Sequence, residues 1–172
     1  MSEHAVILNV DDDEAGRFAV THILRRAGFE VHEAGTGEEG LRLARAVQPD
    51  LMLLDIVLPD IDGFEVCRLL KGDPATSGIS IIHLSAGRTA GHDKAVGLEG
   101  GADAYLTEPV GEEELVATVR TFLRIRRAEA GQRLMADRFR SALEAAELGT
   151  FDHDLVSGER NWDQRLRALL GL

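Results

Sequence analysis

A single cysteine, Cys67, stands in a chain of 172 residues, which excludes an internal disulfide and fits a reducing compartment. Phe64 and Val66 precede it, so a small buried side chain is expected there rather than a reactive thiol. Basic residues are in deficit, with 19 Lys and Arg against 30 Asp and Glu and a formal charge of −11. Nucleic acids are gripped by clustered cations, so this balance argues against a nucleic-acid partner. Long apolar runs are missing as well. No stretch approaches the roughly 20 residues that cross a bilayer, and the opening residues are too acidic for a secretory signal. The expectation is a cytoplasmic chain with no membrane partner. His22, His32, His83 and His153 lack the spacing of a zinc site and read as structural or surface residues.

The hydrophobic fraction of 44% is that of a globular protein, and the length suits one domain plus a remainder. Short apolar runs alternate with segments of helical period. Strands are expected over Ala5–Val10, Glu30–Glu33, Leu51–Asp55, Ile79–Leu84 and Ala104–Thr107. Helices are expected over Glu14–Ala27, Gly37–Val47, Gly63–Lys71 and Thr89–Gly100, with Gly28, Gly72 and Gly100-Gly101 marking their ends. Strands separated by helices imply crossover connections and a parallel sheet covered on both faces.

In open sheets of this kind ligands bind beyond the carboxyl ends of the strands. Two apolar runs end in carboxylates: Val6–Val10 leads into Asp11-Asp12-Asp13, and Leu51–Leu54 into Asp55. Ser85 and Glu108 fall at two further strand ends. Clustered carboxylates repel one another unless a cation or proton joins them, so the pattern points to a divalent metal. Mg²⁺ takes one or two carboxylates and keeps several waters, which suits Asp12 and Asp55 with Asp11 behind them. A carboxylate is also a nucleophile toward phosphorus, and Ser85 is placed to donate to a phosphoryl oxygen. Asp13 reads as the cap of the first helix, and Asp60 and Asp62 as turn residues.

These residues, with Pro59 and Asp62-Gly63 after Asp55, Leu84-Ser85-Ala86, and Gly101–Tyr105 leading to Pro109, resemble the receiver domain of two-component response regulators over residues 1–125. The resemblance implies a flavodoxin-like, five-stranded, doubly wound parallel sheet. It implies that Asp55 accepts a phosphoryl group from a histidine kinase or phosphotransfer protein. Asp11, Asp12, Asp55 and the carbonyl of Val57 would hold Mg²⁺. Ser85 would occupy the hydroxyl position, Tyr105 would be the switch aromatic, and a cis peptide would precede Pro109. Such a module relays a signal and is not a classical enzyme. A haloacid-dehalogenase-type phosphohydrolase also uses a carboxylate nucleophile, but its nucleophile follows the first strand, whereas Asp55 follows the third.

One position departs from the family. Receivers carry Lys before the proline, and this chain has Glu108. At ~4 Å and an effective dielectric near 20, the lost ion pair is worth about 4 kcal/mol as an upper guide, and Glu108 turns attraction into repulsion. Arg88, with Lys94 behind it, is the candidate substitute cation, although a solvated surface side chain is the favoured reading of Arg88. The alternative is a pseudo-receiver that binds partners without being phosphorylated. Val57 and Gly87 offer no side chain to orient a water, so slow loss of the phosphoryl group is expected.

Beyond the receiver, helical composition continues from Gly111 to Ala146. Residues 126–146 therefore read as a helical linker, with a homodimer through this extended C-terminal helix as one expectation, although Gly131 interrupts the heptad pattern. Residues 147–172 resemble the opening of a PAS-like sensor domain, carried by Leu148-Gly149-Thr150-Phe151-Asp152 and Asn161-Trp162. No basic helix-turn-helix is visible, which counts against a transcription factor.

Overall fold

The computed structural model describes residues 5–86, 101–146, 150–153, 157–158, 160–162 and 164–171. Five strands form one parallel sheet: β1 Val6–Val10, β2 Glu30–Ala34, β3 Leu51–Asp55, β4 Ser80–Ala86 and β5 Ala104–Glu108, in the order β2-β1-β3-β4-β5. The helices α1 Glu14–Arg26, α2 Gly37–Val47 and α3 Gly63–Gly72 separate the first strands, and α4 Glu112–Ala145 follows β5. The expected helix over Thr89–Gly100 lies outside the described residues. This is the five-stranded flavodoxin-like architecture with a long C-terminal helix.

Two apolar layers sandwich the sheet. Ile7, Leu51, Leu53, Ile82 and Leu84 pack with Leu24 and with Leu115, Val119 and Leu123 of α4. Leu8, Val10, Met52, Leu54 and Ile81 pack with Leu41 of α2 and Val66, Cys67 and Leu70 of α3. Strands covered on both faces need continuous apolar runs, which is why Leu51–Leu54 is wholly buried. Cys67 is buried as expected, and burial pushes its thiol up to about 11.

Helix starts are set by side chains that satisfy free amides. Asp13 Oδ2 accepts from Gly16 N at 2.8 Å, Thr36 Oγ1 from Glu39 N at 3.2 Å, and Asp62 Oδ1 from Phe64 N at 2.8 Å. The structure adds a long-range cap. Asp60, in the β3–α3 loop, accepts from Gly37 N and Glu38 N, both at 2.8 Å, and so fastens that loop to the start of α2. Buried Asn9 ties β1 to α1 by donating to Arg17 O at 3.1 Å and Thr21 Oγ1 at 3.2 Å.

β4 runs two residues past its expected end, because Ser85 and Ala86 stay paired with Thr107 and Glu108. Ser85 therefore lies within the strand and not beyond it. At the other end of the sheet, carboxylates are fully paired. Asp50 accepts from Val6 N at 3.0 Å and from Arg126 of α4. Asp103 Oδ2 accepts from Lys71 Nζ at 2.8 Å and Ile81 N at 2.7 Å.

The chain divides into two compact units, Met1–Arg127 and Ala128–Leu172. In the second, β6 Phe151–His153 pairs antiparallel with β7 Arg160–Trp162, and a short helix, α5, covers Gln164–Leu170.

Candidate functional site

The strand order reverses between β1 and β3, which are neighbours in the sheet with β2 outside β1. A crevice at the carboxyl ends of such strands is where ligands sit. Asp11 and Asp12 follow β1 and Asp55 ends β3, so both sides of that crevice carry carboxylates. The expected grouping is present: Asp11, Asp12 and Asp55 each offer an oxygen, all within 4.8 Å of one another. Asp11 is buried, Asp55 half-buried and Asp12 exposed.

Main-chain amides hold the two inner carboxylates in place. Asp11 Oδ1 accepts from Asp13 N at 2.8 Å. Asp55 Oδ1 accepts from Ile56 N at 2.7 Å. The turn after Asp55 closes tightly, with Gly63 N donating to Ile56 O at 2.9 Å. A side chain at position 63 would put its Cβ 2.2 Å from the carbonyl oxygen of Asp55. Only glycine fits there, and this explains the Asp62-Gly63 pair after the strand.

The electrostatics are one-sided. Burial pushes the Asp55 carboxyl up to about 6, with the charges of Asp11 and Asp12 adding to the rise and the amides of Val57 and Ile56 opposing it. Asp11 is raised by burial and by Asp13 and Asp12, against its amide bond and Arg17. Glu108 is raised by burial and then by Asp11, Asp55 and Asp13. Glu108 thus faces the cluster as a further anion, and among the described residues no cation pairs with it.

Arg88, Lys94 and Gly87 lie outside the described residues. The cation the structure does place beside the cluster is one that sequence reasoning missed. Arg17, on the first turns of α1, donates to the carbonyl of Asp11 at 2.6 Å and lies 4.0 Å from Glu33. Its position four residues after Asp13, the helix cap, was the available signal.

Ser85 is 8% exposed at the adjacent strand end, whereas Val57 is 76% exposed beyond Asp55. Tyr105 sits deeper on β5, beside His83 of β4 and Phe64 of α3, with ring centroids 5.2 Å and 6.4 Å away. His83 is fully buried and lies 3.2 Å from the carbonyl of Leu54, so its Nδ1 carries the proton. Burial lowers its pKa, which keeps it neutral against the pull of the Leu54 carbonyl and Asp62. The expected structural role for His83 is what its packing shows. The Glu108–Pro109 peptide is cis, as the resemblance implied.

Comparison with known proteins agrees with this geometry. The family of response regulator receiver domains matches residues 7–120. RpaA of Synechocystis, a DNA-binding dual master transcriptional regulator, is 44% identical over 119 residues, covering 69% of this chain and 48% of the relative. The DNA-binding response regulator MtrA of Mycolicibacterium smegmatis is 42% identical over 128 residues, covering 74% and 54%. A CheY-like receiver domain protein of Methanospirillum hungatei superposes with a TM-score of 0.69 at 31% identity, covering 74% of this chain and 99% of that one. CheY4 of Vibrio cholerae gives 0.65 at 30%, covering 70% and 99%.

This chain spans about half the length of its DNA-binding relatives. Their names overturn the exclusion of nucleic acid, and with it the argument against transcription factors. Net charge was summed over a chain that spans about half the length of these relatives, and it does not report the surface of the remainder of theirs. The relatives are regulators and not classical enzymes. No helix among the described residues is long and apolar enough to cross a membrane. By its matched region and its fold, the chain belongs to the response regulator receiver family.

Proposed function

We propose that this chain is a phosphorylatable receiver in which Asp55 takes a phosphoryl group from a phosphohistidine of a cytoplasmic histidine kinase or phosphotransfer protein. The observation that carries this reading is the trio Asp11, Asp12 and Asp55, with oxygens within 4.8 Å at the switch point of the sheet. An Asp55 oxygen forms the new P–O bond as the P–N bond breaks, and the departing imidazole nitrogen keeps the electron pair and is protonated by solvent. The hard oxygen donors of Asp11, Asp12, Asp55 and the Val57 carbonyl suit Mg²⁺, which would neutralise the oxygens of the transferred group. Arg17 is a positioning residue that braces the backbone carbonyl of Asp11, whose carboxylate is held by the amide of Asp13. Ser85 donates its hydroxyl to a phosphoryl oxygen, and Tyr105 follows by repacking against His83 and Phe64.

Glu108 favours a second reading, a pseudo-receiver that signals by contact alone. One experiment separates the two. The chain is incubated with Mg²⁺ and a small phosphoryl donor and its intact mass is read. A gain of about 80 Da, one phosphoryl group, that disappears in Asp55→Ala supports the first reading. No gain, or a gain that survives the substitution, supports the second or defeats both. On the output side, the β6–β7 hairpin followed by α5 supports reading residues 147–172 as the opening of a PAS-like unit. A DNA-binding output is the counterpart in the relatives.

A further inference from the structure

We infer that Asp60 is a positioning residue for the metal site: by capping α2 from the loop that follows Asp55, it holds the metal-binding groups of that loop in place for Mg²⁺. The inference deepens the proposed function and rests on its metal-binding part. Asp60 is not one of the clustered carboxylates. Its own carboxylate is spent on another element. Oδ1 accepts from Gly37 N and Oδ2 from Glu38 N, both at 2.8 Å.

Three observations place this contact in the service of the loop more than of the helix. The helix already has a cap of its own, because Thr36 Oγ1 accepts from Glu39 N at 3.2 Å. Glu38 is exposed, so water would serve its amide in place of Asp60. The fit between loop and helix is also close. A Cβ at position 37 would lie 2.9 Å from Val66 Cγ2 and 3.3 Å from the carbonyl oxygen of Ile61. Finally, the base of the loop is shut as firmly, with Gly63 N donating to Ile56 O at 2.9 Å. The loop over 56–62 is thus pinned at its base by Gly63 and in its far half by Asp60.

Between those two pins lie the groups that serve the metal. The amides of Ile56 and Val57 hold the Asp55 carboxylate, and the Val57 carbonyl is a ligand in the proposed function. The Val57 side chain is 76% exposed, so its own packing leaves the backbone there free to turn. The ties on either side must fix it. Mg²⁺ demands near-ideal octahedral geometry at short distances, whereas Ca²⁺ accepts looser and longer coordination. A braced loop therefore favours the smaller ion, and a residue that touches no metal sets that preference through its hydrogen bonds.

Titration of the whole chain with Mg²⁺ and with Ca²⁺, followed by amide NMR, tests this on wild type, Asp60→Ala, Asp60→Asn and Thr36→Ala. Asp60→Ala is expected to weaken Mg²⁺ binding about tenfold and Ca²⁺ binding about threefold or less, so the preference for Mg²⁺ falls. Asp60→Asn keeps one acceptor oxygen and is expected to lie between wild type and Asp60→Ala; it carries the same comparison should Asp60→Ala fail to fold. Thr36→Ala removes the helix's own cap and is expected to lower the Tm while leaving both Kd values within about twofold of wild type. Unchanged Mg²⁺ affinity in the Asp60 variants, equal losses for both ions, or the same loss in Thr36→Ala would overturn the inference and leave the metal site standing. A wild type that binds neither ion would overturn the metal site itself, and the inference with it.

Discussion

The two ends of the parallel sheet both carry carboxylates and treat them in opposite ways. At the amino ends of the strands, Asp50 and Asp103 each accept from a backbone amide and from a cation, Arg126 or Lys71. At the carboxyl ends, Asp11, Asp12, Asp55 and Glu108 crowd together. Arg17 is the nearby cation, and it donates to a main-chain carbonyl. A carboxylate with an amide and a cation is a structural fastening, in which the charge stabilises the fold. Asp11, Asp55 and Glu108, raised by burial and by neighbouring charges, cost stability in the resting chain, and such costs are tolerated where a ligand offsets them. The same residue type thus reads as scaffold at one end and as site at the other.

Substitutions of the carboxylates themselves should therefore change sign between the two ends. The largest effect belongs to the turn that shapes the functional end. Gly63→Ala forces a Cβ into the backbone of Asp55 and is expected to cost about 3 kcal/mol or more, read by urea denaturation. Next, Asp103→Ala strands the amide of Ile81 and leaves Lys71 with only the carbonyl of Ile79, and is expected to destabilise by about 2 kcal/mol. At the functional end the sign reverses. Asp55→Asn removes one charge from the cluster and is expected to stabilise the metal-free chain by about 1 kcal/mol at neutral pH, after allowance for solvent screening.

This gain depends on pH. Asp55 binds its proton more tightly in the folded chain, where it titrates at about 6, than in the unfolded one, at about 3.9. Its contribution is thus fully present below the unfolded value and is lost as the pH rises to about 6 and beyond. Thermal melts of wild type and Asp55→Asn should converge near pH 4 and separate by pH 7. Glu108→Gln should show the smallest effect, in the same stabilising direction, because burial and the charges of Asp11, Asp55 and Asp13 also disfavour its ionised form. A destabilising Glu108→Gln would break the comparison at this residue.

Much of this was legible in the sequence because periodicity and strand-end position are local signals. Leu51–Asp55 and Gly37–Val47 emerged with the bounds expected, and the five-stranded sheet followed from the alternation. The trio Asp11, Asp12 and Asp55 was legible because each follows an apolar run. What escaped was set by distant partners. Asp60 looked like a turn residue, and its bonds to the start of α2 join positions 23 and 22 residues apart. β4 outran its apolar stretch because β5 supplies partners for Ser85 and Ala86. Arg17 carried a single sequence mark, its place four residues after the capping Asp13. The nucleic-acid exclusion failed for a different reason: composition speaks only for the surface it counts.

The most direct test of the unequal ends is a thermal melt under Mg²⁺ titration, comparing the wild type with Asp12→Asn and Asp103→Asn. If the carboxyl end holds a cation, Mg²⁺ at about ten times its Kd adds about 1.4 kcal/mol, and the wild type's Tm should rise by roughly 3–6 °C. Asp103→Asn should melt lower and show the same rise, while Asp12→Asn should show little. A wild type indifferent to millimolar Mg²⁺, or an Asp12→Asn variant that responds as fully, would contradict the account.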